Sequence, residues 1–96
     1  MAEFVLSRQA DRDLIDIFKY IAKRSSRSRA KTYIRRLEKT MQSLADTPGM
    51  GTPRDYTPPG VVAFPKDEYV IFYRLRQPSI EILRVLHATC DMESLL

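Results

Sequence analysis

Arg54, Arg74, Arg84 and His87 are the residues of this sequence whose types suit chemistry on a phosphodiester. Guanidiniums can hold an RNA phosphate and an imidazole can move a proton, which is how a metal-free ribonuclease works. The same arginines have a plainer use, pairing with Glu68, Glu81 or Asp91 to fix a sheet. That use is preferred, because no second proton-transfer group accompanies His87. His87 and Cys90 stand three apart. A nucleophile and its base would need a third group to orient the imidazole, and none is near in sequence. Cys90 therefore reads as a small, buried or half-buried residue. With one His and one Cys there is no metal-binding spacing, and Gly49-Met50-Gly51 is too short for a phosphate loop. Neither a metal nor a cofactor is expected.

The elements that must position these residues can be read from periodicity. Glu3 to Leu6 is a short apolar run suited to an edge strand. Ser7 is a good N-cap, since its hydroxyl can accept from an unpaired N–H of the first turn. Ala10, Leu14, Ile17, Phe18 and Ile21 then recur at helical steps, predicting a helix over about Arg8 to Arg24. Asp11, Asp13 and Asp16 lie toward its start, and Lys19, Lys23 and Arg24 toward its end, as the helix dipole favours. After the polar break Ser25-Ser26-Arg27-Ser28, a second helix is predicted from about Arg29 to Asp46. Its apolar stripe is Ala30, Tyr33, Ile34, Leu37, Met41 and Leu44. Thr47-Pro48-Gly49-Met50-Gly51-Thr52-Pro53 ends it, and a loop runs on through Pro58-Pro59-Gly60. Val61 to Phe64, Tyr69 to Leu75 and Ile80 to His87 read as strands, with turns at Lys66-Asp67-Glu68 and Arg76-Gln77-Pro78-Ser79. Asp91 to Leu96 is a helical turn or a loose end. The expected fold is α+β in one domain, residues 1–96. It has an N-terminal strand and a two-helix antiparallel hairpin, packed on a mainly antiparallel three- to four-stranded sheet.

Such a sheet normally has one covered face and one polar face. Strict alternation puts Tyr69, Ile71, Tyr73 and Leu75 against Val70, Phe72 and Arg74. In the next strand it sets Leu83 and Val85 against Ile82, Arg84 and Leu86. Both faces are then apolar, and the helices can cover only one. Two covers stay open for the other: the tail or the 47–60 loop of the chain itself, or a partner.

The composition is that of an ordered globular chain, with 44% hydrophobic and 29% charged residues. The net charge of +4 and a pI near 9.5 favour an anionic partner without choosing between nucleic acid and an acidic protein segment. The charge is uneven: nine bases stand between Lys19 and Lys39 against one acid, Glu38. A solvated helix face would look like this, and so would a docking face for acidic groups. The single cysteine suits a reducing compartment. The opening Met1-Ala2-Glu3-Phe4-Val5-Leu6 lacks the basic start of a secretory leader, and no apolar run reaches bilayer length. A cytoplasmic protein with no membrane contact is expected.

Several stretches, in order, carry a resemblance. Leu6-Ser7 leads to Ala10 and Asp13-Leu14, then Ile17 and Tyr20-Ile21-Ala22. Met50-Gly51-Thr52-Pro53-Arg54 and Phe64-Pro65 follow. Tyr69-Val70-Ile71-Phe72-Tyr73-Arg74 and Glu81-Ile82-Leu83-Arg84-Val85-Leu86-His87 complete the set. Over nearly its whole length the chain resembles the ParE branch of the ParE/RelE toxin superfamily. The resemblance implies a bacterial type II toxin neutralised by a co-expressed ParD-like antitoxin in a hetero-oligomer, with operator DNA reached only through the antitoxin. ParE-like members inhibit DNA gyrase by binding; RelE-like members cleave mRNA on the ribosome. The cleaving branch uses basic residues around the last strand and usually a tyrosine near the C-terminus. Here Ala88, Thr89 and Cys90 follow His87, and no tyrosine follows Tyr73, so gyrase inhibition without catalysis is expected. The mRNA endonuclease using Arg54, Arg74, Arg84 and His87 is the alternative. A third reading is a binding module that has lost toxicity, since Cys90 stands where many ParE-like toxins carry an arginine. Amphipathicity and the resemblance together assign antitoxin binding to Phe18, Ile21, Tyr33, Leu37, Phe72 and Leu83, ringed by Arg35, Arg36 and Lys39.

Overall fold

Ser7 joins the first helix to the sheet as well as capping it. In the computed structural model, which describes residues 3–96, its hydroxyl accepts from the Ala10 N–H at 3.0 Å and donates to the Leu83 carbonyl at 2.8 Å. Its own N–H donates to the Ile82 carbonyl. Strand β1 (Phe4–Leu6) therefore passes into helix α1 (Arg8–Arg24) with the chain already fastened to the last long strand. Met1 and Ala2, part of the expected opening segment and domain, lie outside the described residues.

The second helix, α2, spans Arg27–Asp46 and starts two residues before the expected Arg29. The reason is its cap. The Ser26 hydroxyl accepts from the Arg29 N–H at 3.1 Å, so Ser26 rather than Ser28 ends the linker. Only Ser25 and Ser26 separate the helices, which forces an antiparallel hairpin. After the 3₁₀ turn Pro48–Met50 come β2 (Val61–Lys66), β3 (Tyr69–Arg76), β4 (Ser79–His87) and a terminal helical turn, α3 (Met92–Leu95). The sheet order is β1-β4-β3-β2, with β1 parallel to β4 and the other pairs antiparallel. The expected edge strand, helix hairpin and α+β architecture are all present.

The hairpin lies on one face of this sheet. Leu14 and Ile17 of α1 meet Leu37, Met41 and Leu44 of α2 over Ile71, Tyr73, Ile80, Ile82 and Val85. Ala10 and Ala30 are fully buried. Tyr33 and Ile34, expected in the α2 stripe, reach only the margin of this core. Tyr73 also ties down the long loop. Its hydroxyl donates to the Pro48 carbonyl and accepts from the Gly51 N–H, both at 2.7 Å.

Strict alternation fails in β4. Phe72 pairs with Arg84 but Tyr73 pairs with Ile82, so Leu83 is an extra residue, a β-bulge. Beyond it the side-chain parity reverses. Val85 joins Ile80 and Ile82 under the helices, while Leu83 and Leu86 turn to the far face. The expected grouping of Leu83 with Val85, against Ile82 and Leu86, is therefore corrected. Leu75, expected beside Tyr73, lies beyond the helices and is exposed.

The far face has a cover of its own. Val61, Ala63, Val70, Phe72 and Leu86 form a second cluster, onto which Tyr56 from the loop and Cys90, Met92 and Leu96 from the tail pack. Of the two covers left open by the sequence, the chain itself supplies much of one. Phe72 is completely buried there, a contribution of about 1.5–3 kcal/mol.

Candidate functional site

The four residues suited to RNA chemistry do not converge. Arg84 lies across from Phe72 on the far face, while His87 lies across from Tyr69 on the helix-covered face. The Arg84 Nε and Nη2 donate to the two oxygens of Asp13, each at 2.9 Å, and Nη1 donates to the Leu95 carbonyl at 3.0 Å. The Asp13 hydrogen bonds hold the Arg84 guanidinium more firmly in its charged form, against the opposing pull of partial burial. Arg74 Nη2 stands 2.8 Å from Glu81, a carboxylate that Arg76 also approaches at 3.7 Å. The sheet-fixing role of Arg74 through Glu81 is thus seen; for Arg84 the ion-pair partner is Asp13, and not Glu68, Glu81 or Asp91. Asp13 also accepts from the Val85 N–H at 2.9 Å, so one carboxylate locks α1 to β4. Nothing in the sequence couples residues 71 positions apart, and Asp13 shows there only as a charge suited to the helix dipole.

His87 is held edge-on to the Tyr69 ring, with centroids 5.4 Å apart. Its Nδ1 accepts from the Thr89 N–H at 3.2 Å and lies 2.7 Å from the Thr89 hydroxyl. Its Nε2 is 3.9 Å from exposed Glu68. Arg54 is exposed in the loop, its backbone closed into a turn by the Thr57 hydroxyl. Among the described residues no group of His, Cys, Asp or Glu is arranged to hold a metal. No helix among them is long and apolar enough to cross a membrane.

The residues assigned to antitoxin binding do not share one setting. Leu37 and Phe72 are wholly buried, so neither can be a surface contact, and both leave the candidate site. Leu37 faces the sheet as the centre of the α2 stripe, and Phe72 lies beneath the loop and tail. Leu83 is half-buried on the far face, away from the hairpin. Phe18 lines a shallow groove of about 400 Å³ with Leu6, Leu14, Ile15 and Ile34, rimmed by Asp11, Lys19 and Glu38. Ile21, Tyr33 and Arg36 line a second hollow of about 320 Å³ with Ser28, Arg29 and Thr32.

Ile15 is the contributor that the sequence analysis missed. It is 48% exposed. The available signal was an isoleucine beside Leu14 but off the Ala10–Leu14–Ile17–Ile21 stripe, an apolar residue with no place in the core.

The second hollow combines aromatic and cationic groups. The Arg36 guanidinium lies 5.8 Å from the Tyr33 ring centroid and 3.6 Å from Asp67. Burial, and then the nearby Asp67 carboxylate, push the Tyr33 hydroxyl's pKa well above its ordinary value. Arg24 stands 5.1 Å from the exposed Tyr20 ring. Arg35 and Lys39, with Arg29 and Lys31, are exposed on α2. Among the described residues, Arg36 alone of the α2 bases forms an ion pair. The hairpin thus presents an apolar groove rimmed by Asp11, Lys19 and Glu38 and, apart from it, a hollow lined by Arg29, Tyr33 and Arg36.

Comparison with known proteins agrees over the same span. Residues 4–92 match the family model described as the ParE toxin of the type II toxin–antitoxin system parDE. The chain is 36% identical over 91 residues to Toxin ParE1 of Caulobacter vibrioides, covering 95% of this chain and 94% of that protein. A solved structure described as a chromosomal ParDE TA system from P. aeruginosa superposes with a TM-score of 0.77. It has 20% sequence identity, and the match covers 91% of this chain and 96% of that one, a likeness of fold.

Proposed function

This chain belongs to the ParE toxin family of type II toxin–antitoxin systems, and from that premise we propose that it inhibits DNA gyrase by binding rather than by catalysis. The observation that carries this reading is the separation of Arg84 from His87 across the sheet, with Arg84 neutralised by Asp13. A ribonuclease without metal needs a phosphate clamp and a proton-transfer group on one side of one cleft. Gyrase inhibition by a cytoplasmic protein needs only a complementary surface.

Neutralisation falls to a cognate ParD-like antitoxin in a hetero-oligomer, with operator DNA contacted through the antitoxin. The hairpin groove supports this partner. An amphipathic segment could seat apolar side chains against Ile15, Phe18 and Ile34, and acidic groups elsewhere on it could meet the exposed bases Arg35, Arg36 and Lys39 of α2. Each fully buried leucine or phenylalanine anchor would contribute about 1.5–3 kcal/mol.

The test uses purified toxin in two assays, gyrase supercoiling and mRNA cleavage on translating ribosomes. Inhibited supercoiling that is relieved by antitoxin, with intact mRNA, is the expected result. Cleaved mRNA with normal supercoiling would overturn the reading. Unimpaired growth on induced expression without antitoxin would favour a binding module without toxicity.

A further inference from the structure

The bases of α2 do not stand where helix stability favours them. Arg27 and Arg29 lie in its first turn, the end at which the helix dipole disfavours positive charge, and no acid there offsets them. In α1 the order is the favoured one, with Asp11 in the first turn and Lys23 and Arg24 in the last. Helix formation therefore accounts for the charges of α1 and not for those of α2.

The α2 bases are ordered in another way. Arg27, Lys31, Arg35 and Lys39 follow one another at four-residue steps, so they share one ridge of the helix. At 1.5 Å per residue that ridge is about 18 Å long. All four side chains are exposed, and among the described residues none of them forms an ion pair. Glu38, the only acid of α2 before Asp46, lines the apolar groove instead.

We infer that this ridge binds the phosphate backbone of duplex DNA without reading its sequence. A protein partner is held mainly by anchors in desolvated pockets, and among the described residues no large apolar side chain of α2 is exposed to form one. A membrane surface would need an exposed apolar face, and that of α2 lies in the core, where Leu37, Met41 and Leu44 are fully buried. A single strand needs aromatic platforms, and Tyr33, the one aromatic of α2, is half-buried against the Tyr69 ring. A duplex backbone needs only a row of cations, because each phosphate that a base neutralises releases its counterion. Recognition of the operator stays with the antitoxin, and the ridge contacts DNA of any sequence. Arg35 and Lys39 also belong to the surface assigned to the antitoxin, so the whole ridge is open only in the free toxin. The inference does not depend on gyrase being the target, since DNA binding is read on the toxin alone.

The experiment measures binding of purified toxin to labelled duplexes of two unrelated sequences. Four phosphate contacts give a slope of about −3.6 in log K against log salt, so affinity should fall about 150-fold between about 50 and about 200 mM salt, alike for both sequences. Arg27→Gln with Lys31→Gln leaves two contacts, and the fall should shrink to about twelvefold. That variant should unfold at a temperature no lower than the parent's, because a base leaves the first turn of α2. The charge-keeping Arg27→Lys with Lys31→Arg should retain the parent slope. Arg8→Gln with Arg12→Gln removes the same charge from the exposed start of α1 and should retain it too. If Arg27→Gln with Lys31→Gln fails to fold, Arg35→Gln with Lys39→Gln carries the same expectation. A parent protein that leaves both duplexes unbound at low salt would overturn the inference. So would a parent slope in a folded double glutamine variant of the ridge, or an equal loss in the α1 control, which would make net charge the cause. Unchanged DNA binding with weakened antitoxin binding would assign the ridge to an acidic protein segment and also overturn it.

Discussion

Replacing Asp13 by alanine should destabilise this protein more than removing any other charge on it. Asp13 accepts three hydrogen bonds, two from Arg84 and one from the Val85 N–H, each 2.9 Å long. The two side chains are only 11% and 15% exposed, so the pair is screened little by solvent. Breaking a buried pair by removing one partner costs about 3–5 kcal/mol, because the other charge is left desolvated. The residual exposure places Asp13→Ala near the lower end, about 3 kcal/mol, including the Val85 N–H left without its acceptor. For a domain of this size each kcal/mol shifts Tm by about 4–8 °C, so a fall of about 12–24 °C is expected. Arg74→Ala is the control. Its side chain is 54% exposed, and its loss should cost under about 1 kcal/mol. Urea unfolding of Asp13→Ala, Arg84→Ala and the double variant measures the coupling directly. A loss below about 1 kcal/mol in Asp13→Ala, or a coupling near zero, would refute the claim that this carboxylate locks α1 to β4.

Tyr73→Phe should cost about 1–3 kcal/mol in urea unfolding, since it leaves the Pro48 carbonyl and Gly51 N–H without their shared hydroxyl. Gly51→Ala should destabilise through the same contact, because a Cβ there would meet the Tyr73 hydroxyl at 2.5 Å. Burial, as the first cause, raises the hydroxyl pKa values of Tyr33, Tyr69 and Tyr73 above the ordinary 10. On alkaline titration the unfolded chain therefore loses these protons first. Their contribution is fully present below pH 10 and declines as pH rises beyond it, so Tm followed from about pH 8 to about pH 11 should fall late, and less steeply in Tyr33→Phe. Arg35→Glu with Arg36→Glu should slow antitoxin association and reduce its salt dependence in stopped-flow mixing. The stability cost should be under about 1 kcal/mol, because the Arg36–Asp67 pair is exposed.

Most of the local structure was legible in the sequence, although the Ser26 cap that starts α2 at Arg27 was not. Serine caps, three- and four-residue apolar steps, a proline-glycine stop and β-branched runs fixed the helices and strands nearly to the residue, because each depends on neighbours within about one turn or one pleat. The charge asymmetry of the helices was equally plain. What only the tertiary structure decided turns on residues far apart along the chain. The extra residue at Leu83 exists only as a mismatch in register between two strands, yet it decides which side chains face the helices and which face the far side of the sheet. Asp13 meets Arg84 only after the helix is laid against the sheet, and that meeting engages the guanidinium with both oxygens of one carboxylate. The tail and loop bury Phe72 by folding back over the far face, which periodicity along one strand cannot foresee. Pattern along the chain records which side chains can be buried; which face each one joins is settled only when the strands choose their register.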